Sequence, residues 1–134
     1  MELDFSLFAE AAEVKENGMI NLLGGRLDFV SAPAFPATFH SLFVVVSVLA
    51  SPAEFEKDHE FLCEVVGPNG KKVTEDVHLV FNPRKHPRKE GVKNWQMLLI
   101  RYVNLVLPAP GDCVFKFSVD GKWIGERVLE LVKE

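Results

Sequence analysis

Residues 82–91 read NPRKHPRKEG, four basic side chains and a histidine gathered on a stretch broken by Pro83 and Pro87. Between Asn82 and Asn94 stand Arg84, Lys85, Arg88, Lys89 and Lys93 against one acid, Glu90, so the stretch carries +4; the whole chain carries −4, which leaves −8 for the rest. Arginine, lysine and, when protonated, His86 bind carboxylates and phosphates through charge-assisted hydrogen bonds. A projecting loop of this charge acts almost independently of a negative body, because the Debye length is about 8 Å at physiological salt. Nucleic acid fits poorly. A handful of phosphate contacts on one loop gives a salt-sensitive, non-specific affinity, and no aromatic side chains are interleaved for bases to stack on. The stretch therefore points to an acidic protein partner, which includes an acidic face of a second copy in a homo-oligomer. A solvated connection between strands is the plainer alternative.

The two tryptophans offer a different chemistry. Trp95 opens the apolar segment beside the basic stretch and Trp123 follows an Asp-Gly turn; a flat ring at either place could stack on a sugar or small molecule, and could equally close the core. Other reactive groupings are weaker. The histidines at 40, 59, 78 and 86 lack HxH, HExxH or Cys-x-x-Cys spacing. The nearest cluster is DHEFLC, with Asp58, His59, Glu60 and Cys63, where His59 and Cys63 on a strand would share a face but stand two repeats apart. Glu54, Glu56, Asp58 and Glu60 alternate, a spacing that could pair carboxylates for acid–base work, but after Pro52 they read as a solvated acidic loop. No Gly-x-Ser-x-Gly elbow is present, and LLGGRLD lacks the Lys-Ser/Thr of a phosphate loop and the third glycine of a dinucleotide fingerprint. No catalytic residue, metal or cofactor is assigned. The expected role is a non-catalytic interaction or accessory module working through Arg84, Lys85, His86, Arg88, Lys89 and Lys93. A small-molecule or carbohydrate binder using Trp95 or Trp123 is the alternative, and an unrecognised enzyme comes third.

The elements that must position these residues are strands. The chain has 134 residues, with 48% hydrophobic and 25% charged, the size and balance of one globular domain that can bury a core without staples. Asn17-Gly18, Asn69-Gly70 and Asp120-Gly121 are dipeptides suited to hairpin turns. Between turns, Cys113, Phe115, Phe117 and Val119 alternate with Lys116, Ser118 and Asp120, the period of a half-buried strand. Strands are expected near 4–14, 18–30, 39–50, 60–67, 72–81, 95–107, 112–119 and 123–132. The apolar middle of the segment from Trp95 to Leu107 predicts burial on both faces, and Pro108 and Pro110 end it. Gly24-Gly25 reads as a bulge or a crossing between sheets. Residues 4–14 and the final ERVLELVKE also satisfy helical spacing and composition, but the Asn-Gly and Asp-Gly turns beside them favour strands. The fold class is a single-domain all-β antiparallel sandwich of about eight strands, immunoglobulin-like or related.

AEAAEVKENGMINLLGGRLDFV, VVVSVL and VNLVLPAPGDCVFKFSVDGKWIGERVLELV together resemble a bacterial family of short β-sandwich domains with no assigned function. The resemblance implies a sandwich and brings no catalytic residues with it. Antibody-type identity does not fit: position 111, two before Cys113, is Gly where that domain carries Tyr, and Trp95 lies far after Cys63. The acidic start MELDFSLFAEAAEV lacks the basic n-region and apolar core of a signal peptide. The longest apolar run, Leu42 to Ala50, is about half of what a bilayer span needs. With only Cys63 and Cys113, and no export signal, a reduced bacterial-type cytoplasmic setting is expected.

Overall fold

A computed structural model describes residues 1–134. In order along the chain come β1 (Glu2–Ala9), β2 (Ala11–Val14), β3 (Ile20–Leu23), β4 (Phe29–Ala32), β5 (Ala37–Ala50), a 3₁₀ turn (Pro52–Glu54), β6 (His59–Val66), β7 (Val77–Phe81), β8 (Asn94–Leu107), β9 (Gly111–Val119) and β10 (Lys122–Lys133). They make a three-stranded sheet, β1-β5-β8, facing a five-stranded sheet, β4-β10-β9-β6-β7, with β2-β3 as a separate ribbon. The chain is all-β, as expected, and both segments open to a helical reading are strands.

The core follows from period-two alternation on the facing sheets. Cys113, Phe115, Phe117 and Val119 of β9 point inward with Phe61, Cys63 and Val65 of β6 and with Leu129 and Leu131 of β10. Opposite them lie Leu42, Val44, Val46 and Val48 of β5, Leu98, Ile100 and Tyr102 of β8, and Phe8 of β1. Rings cross the gap: Phe115 meets Phe8 edge-on at 4.8 Å and Tyr102 at 5.7 Å. Edge-to-face pairs of this kind add about 0.5–1.5 kcal/mol to the area they bury. The Tyr102 hydroxyl, otherwise stranded in the core, donates to Cys63 Sγ at 3.3 Å.

Four details depart from expectation. The strand covered on both faces is β5, where Val45 and Ser47 are as buried as Val44 and Val46, because the ribbon lies over the outer face of the sheet. The Trp95–Leu107 segment is instead an edge strand, β8, with Val103 and Val106 exposed. Its long apolar run packs Leu98, Ile100 and Tyr102 inward while Met97 and Leu99 lie half-covered outside. Secondly, there are ten strands in place of about eight. At Glu10 the backbone N–H turns to the carbonyls of Leu23 and Gly24 at 3.1 and 3.3 Å, so the first expected strand divides into β1 and β2. Gly24-Gly25 divides the second, and there the chain does cross from ribbon to five-stranded sheet. Thirdly, one pair is not antiparallel: β4 runs parallel to β10, with Val30 against Leu131. Lastly, the 72–81 strand begins only at Val77, because residues 67–76 form an irregular connection with one bridge, Val66 to Lys72.

The turn chemistry works as read. Asp120 and Gly121 both have positive φ, 51° and 79°, the requirement of a type I′ hairpin. Gly18 and Gly70 take φ of 82° and 78° after their asparagines, and each Asn Oδ1 accepts a hydrogen bond from the backbone N–H two residues on.

Candidate functional site

Strand pairing places the basic stretch. β7 ends with Phe81 beside His59, and β8 starts with Asn94 beside Ala50, so residues 82–93 bridge the two sheets across one end of the sandwich. The bridge is tied down. Pro83 is buried and its carbonyl accepts from Glu56 N–H at 2.8 Å. Asn82 Nδ2 donates to Asp58 Oδ1 at 3.2 Å and Asn94 Nδ2 to the Arg84 carbonyl at 2.8 Å. His86 Nδ1 accepts from the backbone N–H groups of both Arg88 and Lys89 at 3.1 Å, which requires the Nε2–H tautomer and turns a histidine of the candidate set into a brace for its neighbours. Arg84, Lys85, Arg88 and Lys89 are exposed with no carboxylate in ion-pair range. Lys93 is answered within the chain by Glu2; the Lys93 hydrogen bond and charge hold the Glu2 carboxyl below its usual range.

Trp95 stands at the foot of this loop, on the outer face of the three-stranded sheet beside Leu49. The Asn17-Gly18 turn of the ribbon passes over its ring so closely that a Cβ on Gly18 would lie 2.9 Å from Trp95 Cη2. The turn divides the surface in two. On one side Arg84, His86, Gln96, Asn17 and Glu16 line a groove of about 360 Å³. On the other, Phe5, Met19, Ile20 and Met97 line an apolar hollow of about 340 Å³. Trp95 is a wall of both. The basic loop and Trp95, alternatives in the sequence, thus share one site. Trp123 does not join them: it is 65% exposed on the outer face of the five-stranded sheet, beside Ser118. A larger concavity, about 540 Å³ over the β2-β3 ribbon, has Glu13 and Asn21 as its polar groups, and these bond each other at 2.8 Å.

Several of the other titratable groups have structural partners. Glu54 accepts from Ser51 N–H at 2.9 Å, Glu60 pairs with His78 at 2.6 Å, and Asp58 holds Asn82, so the alternating carboxylates disperse instead of converging. His59 Nδ1 meets Asp120 Oδ2 at 2.6 Å and Nε2 meets the Glu54 carbonyl at 2.8 Å. Burial disfavours its imidazolium, but these acceptors outweigh it and raise the His59 pKa. Asp120 is held low by the Glu60 N–H and then by His59. Burial pushes the thiols of Cys63 and Cys113 up to about 11. Cys63 pairs with Phe117, which puts Cys113 four residues, or about 13 Å, along the strand; both thiols are free.

Sequence reasoning missed Asn17, Gly18, Met19, Phe5 and Met97 as site residues. Asn-Gly announced a turn, but nothing in the local pattern said over which strand it would fall. No helix is long and apolar enough to cross a membrane. Residues 4–132 match the model of a family of unknown function, DUF6941. No curated protein and no solved structure matches the chain.

Proposed function

The chain belongs to the DUF6941 family, and from its own geometry we propose a non-catalytic binding module that takes an acidic partner at the end of the sandwich carrying residues 82–95. The observation that carries this reading is the shared site: unpaired Arg84, Lys85, Arg88 and Lys89 on a braced loop, set directly beside the half-exposed ring of Trp95. Charge would steer and orient the partner; the aromatic wall and apolar hollow would supply desolvated contact area. The low cysteine count supports a reducing, cytoplasmic setting for this encounter, and the resemblance noted above supports a bacterial one.

The test is affinity capture from a native lysate of the source organism, with the wild type compared against a variant carrying serine at 84, 85, 88 and 89. A stoichiometric partner held by the wild type, released by high salt and absent from the variant is the expected result. Identical partners on both baits would sink the reading. A second reading rests on the same wall: a small molecule or glycan stacked on Trp95. Binding that survives high salt and disappears in Trp95→Ala would select it, since stacking is weakly screened.

A further inference from the structure

Of the four edges of the two main sheets, two are short and a third is crossed at one end. β4 has four residues and β7 five, and β1 is bridged by Leu27, whose N–H donates to the Phe8 carbonyl at 3.0 Å. β8 has 14 residues and one neighbour, β5, and none of the backbone hydrogen bonds outside the strand ladders reaches it. Natural proteins usually guard so long an edge with lysines, prolines or a covering segment. β8 has no lysine, no proline and a single charge, Arg101. Its one irregularity is Asn104, at φ 52°, where the inward set shifts phase from Tyr102 to Leu105. The regular template, with no second strand beside it, is therefore Asn94 to Val103, where the one side-chain bond to the backbone within it is Gln96 Nε2 to the Met97 carbonyl at 3.3 Å.

What it displays selects the occupant. Trp95, Met97, Leu99, Arg101 and Val103 share the outer face. Arg101 is fixed there, its Nε donating to Ser41 Oγ at 3.1 Å and its guanidinium 5.4 Å over the Phe43 ring. The basic loop emerges at the Asn94 end, where the Arg84 carbonyl is bound. β8 carries no carboxylate of its own, so pairing two β8 strands sets none opposite Arg101 within the new ladder. We propose that an extended, acidic segment of a partner protein adds as a strand to β8 along Asn94–Val103. Its backbone completes the open ladder, and its carboxylates on the outer face lie within cross-strand reach of Arg101 and Arg84. The inference rests on the acidic-partner reading and specifies how that partner binds.

The experiment uses the full chain and a fluorescent peptide of about ten residues, a normal strand length, alternating valine and glutamate. Two further peptides carry N-methyl groups on one or the other alternate set of amides. A strand-adding peptide donates through only one of these sets, so one methylated peptide should lose at least tenfold in affinity while the other matches the parent. The alternate amides of residues 94–103 that do not bond β5 should gain protection from hydrogen exchange, and Arg101→Glu should weaken the parent peptide. Equal affinity of the two methylated peptides, or no binding by the parent, would overturn the inference. So would protection of β8 that rises with protein concentration alone, which would assign the edge to a second copy. If the four-serine variant still loses its cellular partner while N-methylation makes no difference, strand addition falls and the acidic-partner reading stands. If N-methylation matters for a peptide that the four-serine variant and Arg101→Glu bind undiminished, the charge argument falls in both.

Discussion

Gly18 is the hinge of the candidate site, and Gly70 provides an internal control for what it does. Both follow asparagine in turns and both have positive φ, 82° and 78°. An alanine at either meets the left-handed penalty of about 1–2 kcal/mol, offset by about 0.4–1 kcal/mol because the unfolded chain loses freedom. The backbone cost is then about 0.5–1 kcal/mol at each. The surroundings differ. Nothing lies within 4 Å of a Cβ on Gly70, whereas on Gly18 it would stand 2.9 Å from Trp95 Cη2 and 3.1 Å from Cζ3. The ring is half-exposed and reached at its far end, so it should swing away, giving up its cover under the turn. Gly18→Ala should therefore cost about 0.5–1 kcal/mol more than Gly70→Ala, a further fall of about 0.3–0.5 M in urea midpoint at an m-value of about 2 kcal/mol/M. In a Trp123→Phe background, which leaves Trp95 as the sole indole, Gly18→Ala should also red-shift native emission, and Gly70→Ala should not. If the two alanine variants unfold at the same midpoint with the same native spectrum, the ribbon does not press on Trp95 and the two-sided site does not exist as described.

The His59–Asp120 pair should leave a pH signature. A raised His59 pKa contributes stability fully present below its unfolded value near 6.5 and lost as pH rises through the folded value. The lowered Asp120 pKa contributes above 3.8 and is lost as pH falls through its folded value. The pair is thus worth most between about pH 4 and 6.5, so the urea-midpoint gap between wild type and Asp120→Asn, whose asparagine tolerates φ 51°, should be largest near pH 5–6 and shrink toward pH 8. A flat gap across that range would refute the assignment. Cys63 and Cys113, fully buried with pKa values pushed to about 11, should resist a thiol reagent at pH 8 in the native state and both react in denaturant. Native labelling of either would show that the sheets part readily along that strand.

Features that depend on consecutive residues were readable along the chain. Alternation in β9 gave its inward set from Cys113 to Val119, and Asn17-Gly18 and Asp120-Gly121 gave their turns, because side-chain period and positive φ are local properties. The basic loop was equally legible, since charge density needs no partner strand to be counted. Where pairing decides the outcome, local pattern was silent. The apolar runs of β5 and β8 look alike, yet one became a central strand and the other an open edge, because β5 pairs with β1 as well as with β8 while β8 has no second partner. Residues 18–30 read as one strand, and only the crossing at Gly24-Gly25 separated β4 from β3 and set it parallel to β10. The candidate site belongs to this second class: Arg84 and Trp95 are near neighbours along the chain but Gly18 is far from both, and the three meet because the connection between β7 and β8 lands at the end of the sandwich where the Asn-Gly turn folds down. Contacts between elements are fixed by how all the faces can be buried at once, a condition that no single stretch of sequence contains.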